Sequence, residues 1–340
     1  MRTASSVISC LVAALLGSCH TAADGAGGAG GAGGPGGPGG SGGSGGAGGS
    51  GGSGGSGRGL PVGAPWVAFY GSAQDIGDLA AVASRFRVID IDADPGTGNF
   101  TREQIGVLRA GGKNRVLSYF NLGSCERFRS YWADVPQGLV SCKANTAAQR
   151  GGYEGYPDET WMDVGNAAYQ ELLIDYIAPR LVEQGVDGFF FDNLEIVEHG
   201  PATTNGPCDA GCAQGGLDLV RRLRERFPDL LFVMQNATGE VTRRGRTGGL
   251  DYPTLLDGIS HEEVYAPMVD EGAQAQLLAW AALGMRPGGR TFWIATEDYV
   301  GDCSARGAAR AIYERSRSHG FSPYATDSSA GQRVICYWPF

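Results

Sequence analysis

Gly185-Val-Asp-Gly-Phe-Phe-Phe-Asp192-Asn193 is the stretch of sequence that indicates the fold most directly. Its three successive phenylalanines, Phe189 to Phe191, predict a strand buried on both faces, as in a parallel sheet covered by helices. The apolar run then ends abruptly in a carboxylate and an amide. Since parallel α/β barrels carry catalytic groups at the carboxyl ends of their strands, Asp192 is a candidate catalytic residue. The alternative is that it caps the following segment or fixes a loop.

Similar apolar runs recur along the chain between about Leu60 and Phe340. The predicted strands are Trp66–Tyr70, Arg87–Ile91, Arg115–Phe120, Asp187–Phe191, Leu230–Gln235, Gly258–Glu262, Thr291–Ala295 and Phe321–Ala325. Amphipathic stretches separate most of them, which favours a parallel α/β fold, and the length suits a (β/α)8 TIM barrel. A doubly wound open sheet is the alternative. It usually carries a phosphate-binding glycine loop after the first strand, and Phe69-Tyr70-Gly71-Ser72 is not such a loop.

The first 18 residues predict an export signal. The apolar stretch from Val7 to Leu16 is far shorter than the ~20 residues of a membrane-spanning helix. Leu16-Gly17-Ser18-Cys19 resembles a lipobox, in which Cys19 would carry the lipid and become the new N-terminus. The alternative is an ordinary signal peptide cleaved near Ala22 or Ala23. Either reading predicts an exported protein, placed in the cell envelope as a lipoprotein or outside the cell.

A low-complexity segment over residues 19–59 follows the predicted signal. From Gly25 to Gly57 it contains only Gly, Ala, Ser and Pro, without a charged residue. Such a composition buries too little apolar surface to offset chain entropy, so the segment is predicted to be a disordered tether. One globular domain is predicted over residues 60–340. The membrane is then a partner only through a lipid anchor.

The cysteine count agrees with an oxidising compartment. Setting aside Cys10 in the predicted signal and Cys19 leaves six cysteines: Cys125, Cys142, Cys208, Cys212, Cys303 and Cys336. An even number favours disulfides, and the simplest pairing joins sequence neighbours (125–142, 208–212 and 303–336), although six cysteines allow fifteen arrangements. No second cysteine pair or histidine pair lies at a zinc-site spacing. We therefore predict neither a metal nor a cofactor.

Polar side chains stand at or just past nearly every predicted strand. They are Tyr70, Asp90, Asp92, Tyr119, Asn121, Asp192, Asn193, Gln235, Asn236, Glu262, Glu263, Glu297 and Asp298. A ring of carboxylates, amides and tyrosines is typical of a site for a polyhydroxylated ligand, whereas nucleotide phosphates demand basic groups or backbone nests. The scarcity of histidine and lysine here argues against Ser-His-Asp and Schiff-base chemistry.

Two of these carboxylates, Asp192 and Glu262, are the best candidates for cleaving a glycosidic bond, in which one attacks or activates water and the other protonates the leaving oxygen. Side chains alternate along a strand, so only one of Glu262 and Glu263 is expected to point into the site. The remaining candidates for substrate binding are Tyr70, Asp90, Asp92, Tyr119, Asn121, Asn193, Gln235, Asn236 and Glu263. The long segment from Asn121 to Gln184 is expected to shape a groove, or to form an extra helix on the rim.

Four stretches together carry a family resemblance. They are Val116-Leu-Ser-Tyr-Phe-Asn-Leu-Gly123, Gly155-Tyr-Pro-Asp-Glu-Thr-Trp-Met-Asp-Val164, Gly185–Asn193 and Asp257-Gly-Ile-Ser-His-Glu-Glu263. In order and spacing they resemble glycoside hydrolase family 114, the endo-α-1,4-polygalactosaminidases, which are related to α-galactosidase-like barrels. The resemblance implies a (β/α)8 fold and cleavage of α-1,4-linked galactosamine polymers. It implies Asp192 as nucleophile and Glu262 as general acid/base, and it adds Asp163 to the candidates for substrate binding.

Competing functions follow from the same residues. A noncatalytic carbohydrate-binding surface lipoprotein would keep the groove without the chemistry, and a structural envelope protein would only display a partner surface. The presence of both Asp192 and Glu262 favours an enzyme that acts on an amino-sugar exopolysaccharide. The formal net charge of −9 disfavours nucleic acid and mildly fits a cationic polymer. A monomer is predicted.

Overall fold

The computed structural model describes residues 59–340. The predicted signal peptide, the lipidation site at Cys19 and all but the last residue of the predicted tether lie outside them. Among the helices of the described part, none combines the length and apolar character needed to cross a membrane.

The strands and helices of the described residues alternate along the chain. The strands are β1 (Trp66–Phe69), β2 (Val88–Ile91), β3 (Arg115–Asn121), β4 (Ser124–Glu126), β5 (Gln149–Tyr153), β6 (Tyr156–Met162), β7 (Gly188–Asp192), β8 (Leu231–Gln235), β9 (Arg246–Thr247), β10 (Leu250–Asp251), β11 (Gly258–Glu262), β12 (Trp293–Val300) and β13 (Ser322–Asp327). The helices are α1 (Ala73–Ile76), α2 (Leu79–Arg85), α3 (Arg102–Leu108), α4 (Ala167–Glu171), α5 (Ala178–Glu183), α6 (Ala210–Arg226), α7 (Glu240–Arg244), α8 (Glu271–Ala281) and α9 (Arg306–Ser318). A π-helical stretch, Leu172–Ile177, joins α4 to α5.

The eight-stranded main sheet has the order β1-β2-β3-β7-β8-β11-β12-β13, and every hydrogen-bonded pair in it is parallel. The first and last strands, β1 and β13, lie side by side. The Trp66 indole N–H in β1 donates a 2.8 Å hydrogen bond to the Ser322 carbonyl in β13. Each of the eight predicted strands overlaps one strand of this sheet, so the predicted (β/α)8 TIM barrel is confirmed.

Strand β12 differs most from its predicted bounds. The sequence predicts a strand over Thr291–Ala295, whereas β12 runs from Trp293 to Val300. The apolar run stops at Ala295, but the strand continues through polar residues because these are buried inside the barrel wall. Glu297 and Asp298 therefore lie within the strand rather than after it.

Burial on both faces of β7 explains why its sequence is so informative. Phe189, Phe190 and Phe191 are all 0% exposed. Phe190 points into the barrel, where its ring stacks with Trp66 at 6.1 Å. Phe189 and Phe191 belong to the layer between the sheet and the helices, and Phe189 meets Phe227 at the end of α6 edge-on at 5.8 Å. This strand anchors Asp192 at the barrel mouth.

The segment between β3 and α4 forms a three-stranded antiparallel sheet of order β4-β6-β5 rather than an additional rim helix. We call this sheet, residues 124–162, the insert. The Trp161 ring stacks on Tyr153 at 4.1 Å, which provides the insert with its own apolar packing.

Three disulfides join Cys125 to Cys142, Cys208 to Cys212 and Cys303 to Cys336. These are the pairs of sequence neighbours, so the simplest predicted pairing is confirmed.

Candidate active site

Three adjacent barrel strands end in the same backbone arrangement. The last residues of β7, β8 and β11 are Asp192, Gln235 and Glu262, and those that follow are Asn193 (φ 60°), Asn236 (φ 59°) and Glu263 (φ 54°). Asparagine adopts this left-handed conformation readily, whereas for glutamate it costs about 1–2 kcal/mol. At this turn the backbone departs from the sheet. The side chain of the last residue of each strand therefore lies at the barrel mouth.

A cavity of about 730 Å³ lies at this mouth. The predicted site residues that line it are Tyr70, Asp92, Tyr119, Asp192, Asn193, Gln235, Asn236 and Glu262. Further lining residues come from the insert, from loops and from the segment after β13; they include Asn99, Glu126, Phe128, Arg129, Tyr153, Tyr156, Glu159, Gln332 and Arg333. The structure thus brings both candidate catalytic carboxylates into one cavity, and the insert forms part of its wall as expected.

Two predicted residues, Asp90 and Asn121, lie just behind the cavity lining. Asp90 is fully buried and accepts a 2.6 Å hydrogen bond from the Tyr70 hydroxyl. Asn121 donates to the Ser124 hydroxyl at 2.8 Å, and its amide oxygen accepts from the Ser124 N–H at 2.8 Å. Asp90 therefore orients a lining tyrosine, and Asn121 fixes the start of the insert.

The other two predicted residues outside the lining are Asp163 and Glu263. Asp163 forms an ion pair with Arg150 and accepts from the Gly165 N–H at 2.9 Å, which fixes the end of the insert. Glu263 is exposed to solvent. Of the two neighbouring glutamates after Ile259, it is therefore Glu262 that faces the cavity.

Neutral donors surround the Glu262 carboxyl. The Asn236 amide donates to Oε2 at 2.7 Å, and the Asn236 oxygen accepts from the Glu262 N–H at 3.0 Å. The other oxygen, Oε1, accepts from the Tyr299 hydroxyl and from Nε2 of Gln332 at 3.1 Å. With hydrogen bonds on both oxygens and on its own backbone, this carboxyl has a fixed orientation.

The Asp192 carboxyl has a different environment. Its Oδ1 is buried and has no hydrogen-bond partner among the described residues, and the same holds for Oε2 of Glu195. Glu195 lies in the short 3₁₀ turn Leu194–Glu198 that follows β7. Burial is the main cause that raises the pKa of Asp192 well above its usual range, followed by the charges of Glu195 and Glu262. The negative charge of Glu195 thus acts directly on the Asp192 carboxyl.

Further carboxyls with a raised pKa lie in or behind the cavity lining. Burial, with Glu262 and Glu159 as its charged neighbours, raises the pKa of Glu195 to about 8. Glu159, from β6 of the insert, accepts from Asn193 at 3.1 Å, and its pKa is raised mainly by burial. Glu297 is 0% exposed without a hydrogen-bond partner on either carboxyl oxygen in the described chain. Burial, Glu262 and Asp90 raise its pKa well above the ordinary value.

Arg129 is the buried cation of the cavity lining, and other carboxylates already engage it. It pairs with Asp92 at 2.9 Å and with Glu126 at 2.7 Å, and Asp94 lies 3.6 Å away. These carboxylates engage most of the guanidinium, and its charge also lowers the pKa of Glu159. Within residues 59–340, no group of three or more His, Cys, Asp or Glu side chains has the arrangement of a metal site.

Among the contributors to the site that were not predicted are Glu159, Glu195, Tyr299 and Gln332. Glu195 carried a weak signal, since it is an acidic residue only three positions after Asp192. Tyr299 was missed because the predicted strand ended at Ala295. Neither Glu159 in the insert nor Gln332 near the C-terminus follows a barrel strand directly, so no strand-end pattern indicated them.

Residues 56–222 match the model of glycoside-hydrolase family GH114. The chain belongs to this family. It is a glycoside hydrolase, and the resemblance inferred from the sequence motifs is confirmed.

Solved structures of glycoside hydrolases share the fold of this GH114 protein. The glycoside hydrolase domain of PelA from Pseudomonas aeruginosa is 17% identical and matches with a TM-score of 0.61 over 80% of this chain and 97% of that domain. Aspergillus fumigatus Ega3, solved in complex with galactosamine, is 15% identical, with a TM-score of 0.55 over 81% of this chain and 94% of Ega3. An uncharacterised protein of Thermotoga maritima is 24% identical over 74% of this chain and 77% of its own length.

Proposed function

We propose that this GH114 protein hydrolyses α-1,4-glycosidic bonds in a galactosamine-containing polysaccharide, with Asp192 as nucleophile and Glu262 as general acid/base. The observation that carries the proposal is that both carboxyls line one cavity, where Asp192 has an unpartnered oxygen and Glu262 is firmly held. The galactosamine bound to Ega3 supports the choice of sugar.

Glu262 is arranged to transfer a proton from one particular oxygen. Oε1 already accepts from Tyr299 and Gln332, as the carbonyl oxygen of a carboxylic acid would. Oε2 has only the Asn236 amide as a partner. We therefore assign the transferred proton to Oε2, which delivers it to the glycosidic oxygen as the bond breaks.

Asp192 is arranged to attack the anomeric carbon. Its unpartnered Oδ1 forms the new bond to that carbon while the glycosidic bond breaks and Glu262 protonates the departing oxygen. Glu262, now ionised, then takes a proton from a water molecule that displaces Asp192 from the sugar.

The acidic wall favours a cationic sugar over a neutral one. The charges of Glu195 and Glu159 raise the pKa of Asp192, the charge of Glu159 also raises that of Glu195, and Arg129 is engaged elsewhere. A buried carboxylate without a counter-charge is costly. The ammonium group of a galactosamine residue would supply the missing positive charge, which a galactose residue lacks.

The decisive assay follows reducing-end release from α-1,4-galactosamine polymers, acetylated and partly deacetylated. Asp192→Asn and Glu262→Gln are expected to lose at least about 10³-fold in rate at unchanged or higher Tm. Asp251→Asn and Glu240→Gln are matched controls, because these carboxyls are 65% and 68% exposed, and should retain wild-type rates. Binding of the polymer without cleavage by any of the proteins would instead support a noncatalytic carbohydrate-binding lipoprotein.

Export, the lipid anchor at Cys19 and a monomeric state remain part of this proposal. The lipid is tested by mass spectrometry of the N-terminal peptide recovered from the membrane fraction, with Cys19→Ser as the control. An unmodified Cys19 in a membrane-free protein would contradict the anchor.

A further inference from the structure

The chain returns to the barrel mouth after its last strand. Residues 328–336, which we call the strap, follow β13 and include Gln332 and Arg333 of the cavity lining. The strap is fastened near its end, where Cys336 is bonded to Cys303 in the loop after β12. A hydrogen bond of 2.7 Å from the Thr326 hydroxyl to the Val334 carbonyl holds it against β13.

Gln332 has a left-handed backbone conformation, which contacts with the surrounding residues must stabilise. Its φ is 43°, and Ala330 two residues earlier has a φ of 50°. Left-handed backbone costs a residue other than glycine on the order of 1–3 kcal/mol, so contacts elsewhere must offset this cost. One such contact is its carbonyl, which accepts from the Tyr70 N–H at 2.7 Å. The side chain is only 6% exposed.

The Gln332 amide determines how Tyr299 meets Glu262. Its Nε2 donates both to Oε1 of Glu262 at 3.1 Å and to the Tyr299 hydroxyl oxygen at 2.6 Å. An amide NH₂ group has two hydrogens, so it can make both bonds at once. Because the phenolic oxygen already accepts from Gln332, its own hydrogen is directed to Glu262. Gln332 therefore acts on the carboxyl directly and through the tyrosine.

We propose that Gln332 is a positioning residue for Glu262, and that the Cys303–Cys336 disulfide acts in catalysis by holding it in place. The inference rests on the proposed role of Glu262 as general acid/base. It assigns a catalytic consequence to a disulfide whose sulfurs lie outside the cavity lining. The other two disulfides of the described residues do not fasten the strap that carries Gln332.

The test compares leaving groups in the full-length protein. Gln332→Gly keeps the left-handed backbone accessible while it removes the amide. Its kcat/KM is measured on an α-1,4-galactosamine polymer, whose leaving oxygen needs a proton, and on the α-2,4-dinitrophenyl glycoside of a galactosamine oligosaccharide, whose leaving group does not. We expect a loss of about 10²-fold on the polymer and less than about threefold on the aryl glycoside, since only the first reaction needs general acid catalysis.

A double-mutant cycle tests the disulfide. Cys303→Ser/Cys336→Ser should reproduce the polymer-selective loss, and adding Gln332→Gly to it should cause little further loss, because both changes remove one interaction. Cys208→Ser/Cys212→Ser, which removes a disulfide outside the cavity lining, should show no difference between the substrates.

Equal losses on both substrates, or losses that multiply in the combined variant, would overturn the inference and leave the strap a structural element. Wild-type cleavage with unimpaired Gln332→Gly would overturn it as well, while leaving the proposed function intact. A wild type inert on both substrates would overturn the proposed function, and the role of Gln332 with it.

Discussion

The two candidate catalytic carboxyls occupy opposite kinds of environment within one cavity. Asp192 has an unpartnered buried oxygen and carboxyl neighbours, and its pKa is raised by burial and by their charges. Glu262 accepts hydrogen bonds from neutral donors on both oxygens. Orientation and charge are therefore controlled separately in this cavity. Neutral donors fix the Glu262 carboxyl in space, whereas the Asp192 wall is left short of positive charge.

The parts of the fold that build the two walls also differ. The Asp192 wall comes from β7, its 3₁₀ turn and the insert, and it collects acidic side chains. The Glu262 wall comes from β8, β11, β12 and the strap, and it collects amides and a tyrosine. A cationic substrate would therefore bind against the first wall while the second presents the proton.

The largest expected effect within this comparison is on the Glu262 wall. Tyr299→Phe removes one donor to Oε1 and leaves the Gln332 amide with an unpaired hydrogen. We expect kcat on the polymer to fall by about 10–100-fold, with KM changed by less than about threefold, since the hydroxyl touches the carboxyl rather than the sugar. Steady-state kinetics on the polymer would check this. A rise in KM with unchanged kcat would place Tyr299 in substrate binding instead.

A smaller effect is expected on stability at the Asp192 wall. The native pKa of Glu195 is about 8, whereas an unfolded glutamate titrates near 4.3. Between these values the native state binds more protons than the unfolded state, so the contribution of Glu195 to stability falls as pH rises. Glu195→Gln has no carboxyl to ionise, so it avoids this loss of stability at high pH. Its Tm should equal that of the wild type near pH 4 and exceed it by a few degrees near pH 8.

Thermal unfolding of Glu195→Gln at several pH values measures this difference. Glu240→Gln is the matched control, because Glu240 is 68% exposed on α7, and its Tm difference from wild type should not change with pH. A Tm advantage of Glu195→Gln that is the same at pH 4 and pH 8 would contradict the raised pKa of Glu195.

The smallest expected effect concerns the length of the groove. Phe128 lines the cavity beside Arg129, is 64% exposed, and lies over the Arg129 guanidinium at 5.0 Å. Such a face suits stacking on a sugar ring, worth about 1 kcal/mol. Phe128→Ala should raise KM for long polymers by roughly fivefold and leave short oligosaccharides unaffected. An equal change for both lengths would place Phe128 close to the bond that is cleaved.

The sequence was sufficient for the barrel and for both candidate carboxyls because the relevant signals are local. Each barrel strand is a short buried run of residues. Asp192 is the last residue of β7, and Glu262 is the last residue of β11. The sequence did not indicate Tyr299, because β12 continues through the buried residues Glu297 and Asp298. The first polar residues after the apolar run therefore did not coincide with the end of the strand. Gln332 contacts Glu262 across 70 residues, and no local pattern predicts such a contact.

The pairing of Asp192 with Glu262 is tested most directly by azide rescue of Asp192→Gly and Glu262→Ala on an α-2,4-dinitrophenyl galactosaminide oligosaccharide. If Asp192 is the nucleophile, azide replaces it in Asp192→Gly and displaces the dinitrophenolate from the opposite face, giving the β-glycosyl azide. If Glu262 is the acid/base, Glu262→Ala still forms the intermediate on Asp192, and azide then gives the α-glycosyl azide. We predict these opposite anomers, read by NMR of the products. The same anomer from both variants, or wild-type hydrolysis in either variant without azide, would contradict the assigned pair.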